Sequence, residues 1–356
     1  MSRSPWLIWL SVALLAAAAI PAALAPACCP APVQGQFVVN ADQTVIMVWN
    51  PETKTQHFIR QASFASNGND FGFIVPTPSE PDLQESGDQA FELLKEYTKP
   101  EVQYVQSQRR PAMGCGCSAI DSASPKAAAD VTVLQQKKVA GFDAVVLEAT
   151  SATELVEWLN EHGYEFSPEV EAWAKPYVDQ GWKFTALQVA KEADKKDATT
   201  VDAAALRITF QTERPLFPYR EPDMTAQLDK LNAKQRLLRI YFLADKRYAG
   251  ELTQDTPWTG QVAWSGQLDE AQSKDVRERL ALPEEESTTW WLTEFEDNWP
   301  YRPAPADLYF ASSDDQSTIK RPPIIVQLSS GPLDAMPIAI AIALLVPALW
   351  RRRTTN

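Results

Sequence analysis

Apolar and polar positions alternate with a period of two over much of this chain, and turn residues interrupt the pattern at short intervals. Phe37-Val38-Val39 and Thr44 to Trp49 flank Asn40-Ala41-Asp42-Gln43, which predicts a strand, a four-residue turn and a second strand. Gln56 to Ala65 predicts a third strand, with His57, Ile59 and Gln61 on one face and Phe58, Arg60 and Ala62 on the other. Phe71 to Val75 is a short apolar strand ended by Pro76-Thr77-Pro78. The same reading predicts strands over 101–106, 131–139, 142–149, 182–189, 204–211, 237–244, 259–264, 288–295 and 308–311.

A period of 3.6 replaces the alternation in a few places. Phe91, Leu94 and Tyr97 mark a helix over 88–97. Ser151-Ala152-Thr153-Glu154 reads as a capping box, in which the Ser151 hydroxyl and the Glu154 carboxylate satisfy each other's backbone N–H groups. Leu155, Trp158 and Leu159 form the stripe behind it, and His162-Gly163 stops the helix. Pro168 opens a second helix carrying Val170, Trp173 and Tyr177, which Pro176 is expected to kink or split. Another helix is predicted over 270–280. About a dozen strands and four or five helices, without regular β-α alternation, predict an α+β domain with a largely antiparallel mixed sheet.

Both ends of the chain depart from this pattern. Arg3 is the only charge before an apolar run from Trp6 to Ile20, and Ala25-Pro26-Ala27 offers small residues to a signal peptidase. Residues 1–27 therefore read as a secretory signal, with Cys28 first in the mature chain. A second apolar run covers 335–350, ends at Trp350 and is followed by Arg351-Arg352-Arg353. At ~1.5 Å per residue it reaches ~24 Å, slightly short of a ~30 Å hydrocarbon layer, and snorkelling arginines make up part of the deficit. The arginine cluster orients it with 351–356 in the cytoplasm. The expected organisation is an exported domain over 28–328, a stalk over 329–334 and a single C-terminal membrane helix. The main domain would lie outside the cytoplasmic membrane, in the periplasm or at the cell surface.

Charge narrows the partners. Leaving out Arg3, the three tail arginines and Asp334, the stretch between carries 29 basic and 45 acidic side chains, a balance of −16. Such a surface repels nucleic acid and anionic lipid headgroups, so neither is expected as a ligand.

Four cysteines fall into two close pairs, Cys28-Cys29 and Cys115-Gly116-Cys117. The second pair sits in a polar, small-residue loop over 107–130. Bonds within either pair miss the preferred Cα separation of ~5.5–6 Å, so an exported chain points to two disulfides between the pairs. Two alternatives stand beside this. Four thiolates with Met113 nearby could bind zinc or Cu(I), and a lipid on Cys28 would make the N-terminus an anchor.

The remaining chemistry is sparse. The chain has two histidines, His57 in a predicted strand and His162 at a helix C-terminus, where the dipole favours a cation. It lacks the zinc-protease, nucleophile-elbow, phosphate-loop and dinucleotide fingerprints. No cofactor is expected and no catalytic residue stands out. Trp290, Trp291, Trp299, Tyr301, Tyr309 and Phe310 crowd the last third. Trp290 and Trp291 are expected on opposite faces of one strand, one of them in the core.

Several of these segments, taken together in order and spacing, resemble a bacterial family known as domain of unknown function 2330. They are the cysteines after the signal, Phe73-Ile74-Val75-Pro76-Thr77-Pro78, Val145 to Ala149 and Ser151 to Leu159 with His162-Gly163-Tyr164. The Tyr177 to Val189 segment, Leu206 to Phe210 and Pro215-Leu216-Phe217-Pro218-Tyr219 complete the set. The likeness covers about Cys28 to Tyr219 and fades afterwards. It implies an exported, membrane-tethered bacterial protein and brings no activity. The sequence thus reads as a tethered extracytoplasmic domain that binds an envelope protein or polysaccharide, or supports the envelope. The competing classes are a soft-metal protein built on the cysteines and an envelope hydrolase using two carboxylates.

Overall fold

The computed structural model describes residues 29–32, 38–66, 71–106, 132–163, 168–189, 200–202, 205–222, 237–252, 258–283, 289–298 and 306–328. The chain divides into a large unit within 1–98 and 118–319 and a small one within 99–117 and 320–356.

Two sheets form the centre of the large unit. The first has five strands, β1 (Cys29–Pro32), β4 (Phe71–Thr77), β9 (Lys183–Val189), β8 (Phe142–Glu148) and β7 (Thr132–Val139), joined in that order by antiparallel pairs. The second runs β15 (Gln261–Gln267), β16 (Trp291–Asp297), β13 (Leu238–Ala244), β2 (Val38–Asn50), β3 (Thr55–Ser66), β11 (Leu206–Gln211), β5 (Asp82–Glu85), with β10 (Thr200–Asp202) beside β3. Its β13–β2 pair is parallel and the rest are antiparallel. A third, small sheet joins β12 (Leu216–Phe217), β17 (Leu308–Ser312) and β14 (Tyr248–Glu251).

Strand alternation explains how these sheets stack. Val45, Met47 and Trp49 of β2, Phe58 of β3 and Ile240 and Phe242 of β13 meet Phe73, Val75, Phe142, Ala144 and Leu187 of the five-stranded sheet in one apolar cluster. The intervening residues point the other way. Ile46, Val48, Ile59, Tyr241 and Leu243 pack under α1 (Gln89–Thr98) and α4 (Glu270–Arg279) through Phe91, Leu94, Val276 and Leu280. Ile74, Leu147, Phe184 and Ala186 pack under α2 (Ala152–Glu161) and α3 (Pro168–Val178) through Leu155, Leu159, Trp173 and Tyr177. The order is helices, sheet, sheet, helices. Strands buried on both faces read as unbroken apolar runs, as in Val45 to Trp49 and Ile240 to Ala244. Each large side chain so removed from water contributes about 1.5–3 kcal/mol before conformational entropy is charged against it.

Two expectations need correcting. Residues 40–43 are not a turn: β2 runs through them as one strand, with a register shift between Asn40 and Gln43. The extra residues are absorbed as a bulge because β3 continues opposite them. Pro176 does not split α3. It lies in the last turn, and the Asp179 N–H still reaches the Lys175 carbonyl at 2.9 Å. Burial of Trp173 and Tyr177 holds that turn in place. At α2, Ser151 accepts from the Glu154 N–H at 3.1 Å, and the Glu154 carboxylate takes the Thr150 hydroxyl as well as Ser151. A second reciprocal box occurs at α4, between Asp269 and Gln272.

In the small unit β6 (Val102–Gln106) and β18 (Ile324–Leu328) form a parallel two-stranded ribbon. Four helices lie among the described residues, in a mixed α+β fold whose largest sheet is mostly antiparallel. None of the described helices is long and apolar enough to cross a membrane. The expected signal over 1–27 and membrane helix over 335–350, with Trp350 and Arg351 to Arg353, lie outside the described residues.

Candidate functional site

Among the described residues a dense buried polar cluster is centred on Asp307, which directly precedes β17. Three elements converge there. The Pro215-Leu216-Phe217-Pro218-Tyr219-Arg220 segment is stiffened by its prolines and pinned by Gln56, whose amide donates to the Leu216 carbonyl and accepts from the Leu216 N–H, both at 2.8 Å. Helix α3 delivers Trp173 and Tyr177 one turn apart on its buried face. The start of β17 delivers the carboxylate.

Asp307 Oδ1 accepts from the Tyr177 hydroxyl at 2.8 Å, the Tyr219 N–H at 2.9 Å and the Arg220 N–H at 3.2 Å. Its Oδ2 accepts from Arg220 Nη2 at 3.2 Å. The Arg220 guanidinium carbon lies 4.3 Å from the centre of the Tyr177 ring, and the Arg220 carbonyl accepts from the Trp173 indole at 2.9 Å. Burial opposes the Arg220 charge, but Tyr177 and Asp307 outweigh it and hold its pKa above the ordinary arginine value. Tyr219 extends the cluster, donating its hydroxyl to Asp297 Oδ2 at 2.6 Å. Nearby, burial, reinforced by Asp307, pushes the Tyr309 phenol up, against the opposing pull of Arg220 and Arg214.

A second buried group sits on the α1/α4 side of the eight-stranded sheet. Arg239 of β13 bridges Glu294 and Glu296 of β16 at 2.8 and 2.6 Å. Burial again opposes its charge, and Glu296, Tyr241 and Glu294 raise its pKa in spite of it. A third, Arg207 of β11, donates to the Leu280 and Ala281 carbonyls at 2.7 and 2.8 Å and so caps the C-terminus of α4. Burial pushes its pKa down.

These arrangements tie together segments of the chain that lie far apart in sequence. Asp307 receives four donors from two segments, three on Oδ1 and one on Oδ2. Glu101, Glu154 and Asp315 are held below the ordinary carboxylate range, by Lys320, by Thr150 and by Ser317 respectively. His57 is buried with Nδ1 2.9 Å from the Thr209 hydroxyl. His162 caps α2, stacks on Trp158 at 3.7 Å and places Nδ1 2.7 Å from the Trp158 carbonyl. Trp290 is buried, and Trp291 is half-buried with its indole donating to Ser265 Oγ at 2.8 Å. They lie on opposite sides, as the alternation predicts.

Of the cysteines, Cys29 is the first residue of β1, opposite Ile74 of β4. Cys28, Met113, Cys115 and Cys117 lie outside the described residues. Among the described residues no group of three or more His, Cys, Asp or Glu side chains is placed to hold a metal ion. The Asp307 cluster escaped the sequence reading because its partners lie 87 to 130 residues away. Only its Pro215-to-Tyr219 arm stood out locally.

A family model described as an uncharacterized protein conserved in bacteria, domain of unknown function 2330, matches residues 21–310. The chain belongs to this family. The match runs through Asp307 and ends within β17, so family likeness extends well beyond Tyr219, where the sequence resemblance faded. It therefore takes in Arg220, Arg239, Glu294 and Asp307. No curated protein and no solved structure matches the chain.

Proposed function

We propose that this protein is a membrane-anchored, extracytoplasmic module that binds an envelope partner or supports the envelope without catalysing a reaction. The observation that carries the non-catalytic part is the Asp307 cluster. This buried polar arrangement spends its carboxylate on four internal donors. The apolar run over 335–350 with its three arginines supports the anchor, and the apolar run and small residues before Cys28 support export.

Two experiments test this reading. Protease added to intact spheroplasts should digest the main domain, and full protection would refute the orientation. Purified full-length protein should release no soluble fragments from envelope polysaccharide. Release that disappears in Asp307→Asn while the variant stays folded would make the protein a hydrolase.

A further inference from the structure

The small unit leaves apolar surface uncovered where a parallel pair is ordinarily buried on both faces. Val102 is 49% exposed, Tyr104 68%, Ile324 50% and Ile325 58%. The register sets Val102 beside Ile324 and Tyr104 beside Val326, on one face of the ribbon, with Ile325 and Gln103 on the other. The exposed groups thus stand on the faces of the ribbon, and a strand added to its edge would not cover them.

Polarity changes along the ribbon. Because the two strands are parallel, both enter at one end and leave at the other. The entry end is charged and tied: Lys320 pairs with Glu101 at 2.7 Å, and the Glu101 carbonyl accepts from the Ile324 N–H at 2.8 Å. At the exit end, β18 is followed by only residues 329–334 before the apolar run over 335–350. Fully extended, that stretch spans at most ~20 Å. Strand β6 is followed, three residues on, by Arg109-Arg110. In sequence, each strand runs from charge to exposed apolar and aromatic side chains, and the chain then continues into a long apolar segment after β18 and two arginines after β6. Aromatic rings favour the bilayer interface, and the two arginines offset locally the repulsion that the acidic domain meets from anionic headgroups.

We propose that the faces of the β6–β18 ribbon contact the bilayer interface, with Tyr104, Val102, Ile324 and Ile325 seated among headgroups and upper acyl chains. This rests on the reading of 335–350 as a membrane helix, whose short tether keeps the ribbon near lipid.

The test uses the full chain in phosphatidylethanolamine–phosphatidylglycerol nanodiscs. The photo-crosslinker p-benzoylphenylalanine replaces Tyr104 in one variant and Leu344 in another. Tyr104 is exposed, so the larger aromatic is tolerated, and a thermal melt checks this. Illumination should add one phospholipid mass to the peptide carrying residue 104. A lipid adduct at 344 alone overturns the ribbon contact and leaves the anchor standing. A protein-mass adduct at 104 overturns it in favour of a second copy or another polypeptide. No lipid adduct at either position overturns both readings. Adducts at 104 without 344 support the ribbon contact and remove the membrane helix.

Discussion

Asp307 carries one of the fold's heaviest single-residue burdens, because it joins a helix, an irregular segment and a strand through one buried carboxylate. Asp307→Ala leaves the Arg220 guanidinium buried beside Tyr177 with no counter-charge, and should lower unfolding stability by about 3–5 kcal/mol. Tyr177→Phe removes one hydroxyl from the same carboxylate and should cost about 1–2 kcal/mol. Urea denaturation of both variants checks the order, and equal losses would deny Asp307 its central place. Tyr248 gives a pH signature. Burial, followed by the nearby Asp245 charge, pushes its phenol up to about 12. The unfolded chain releases that proton near pH ~10, and the folded chain holds it longer. The contribution is thus fully present below pH ~10 and is lost as pH rises towards about 12. Denaturation midpoints measured across that interval should fall less steeply in Tyr248→Phe than in the parent. The sequence showed these residues only as apolar or charged letters. His162 was an exception, since a helix terminus is a local feature and its role could be read from position alone.

At the scale of elements, legibility follows how local the deciding forces are. Helices α1, α2 and α3 were visible because an apolar stripe, a cap or a proline in the first turn lies within a few residues. Ser151 is such a cap, and Ser151→Ala should cost about 1 kcal/mol, read as a lowered denaturation midpoint. No measurable loss would mean that packing of Leu155 and Leu159 alone sets where α2 begins. The long strands were visible from their periodicity. The errors arose where a distant partner decided the outcome. Asn40 to Gln43 has turn composition, yet β3 opposite keeps it extended and bulged. Pro176 ought to break a helix in isolation, but it sits late enough to lose little. Strand β12, two residues long, and strand β5, sealed against β11, carry too little pattern to announce themselves.

The whole molecule shows why a mixed sheet was foreseen but its stacking was not. Period-two runs announce strands, whereas the facing of a five-stranded sheet against an eight-stranded one depends on contacts far apart in sequence. This topology also bears on the cysteines. We expect Cys28 and Cys29 to be oxidised across to Cys115 and Cys117. Strand β1, which begins at Cys29, and strand β7 form opposite edges of the five-stranded sheet, and four antiparallel steps make them run in the same direction. At ~4.8 Å per step the edges are ~19 Å apart. Cys117 precedes the first residue of β7, Thr132, by 15 residues, a reach of up to ~50 Å. The chain can therefore return to its own start. Closing a loop of about ninety residues would stabilise by ~4–5 kcal/mol in the chain-entropy model, and a second bond beside the first would add much less. Intact-mass spectrometry without reductant, combined with thiol alkylation and metal analysis, should show a loss of four hydrogens, no alkylation and no metal. One bound zinc or copper per chain on four alkylatable thiols would make this a metal-handling protein instead. A diacylglycerol mass on Cys28 would leave one cysteine unpaired and end the two-bond reading.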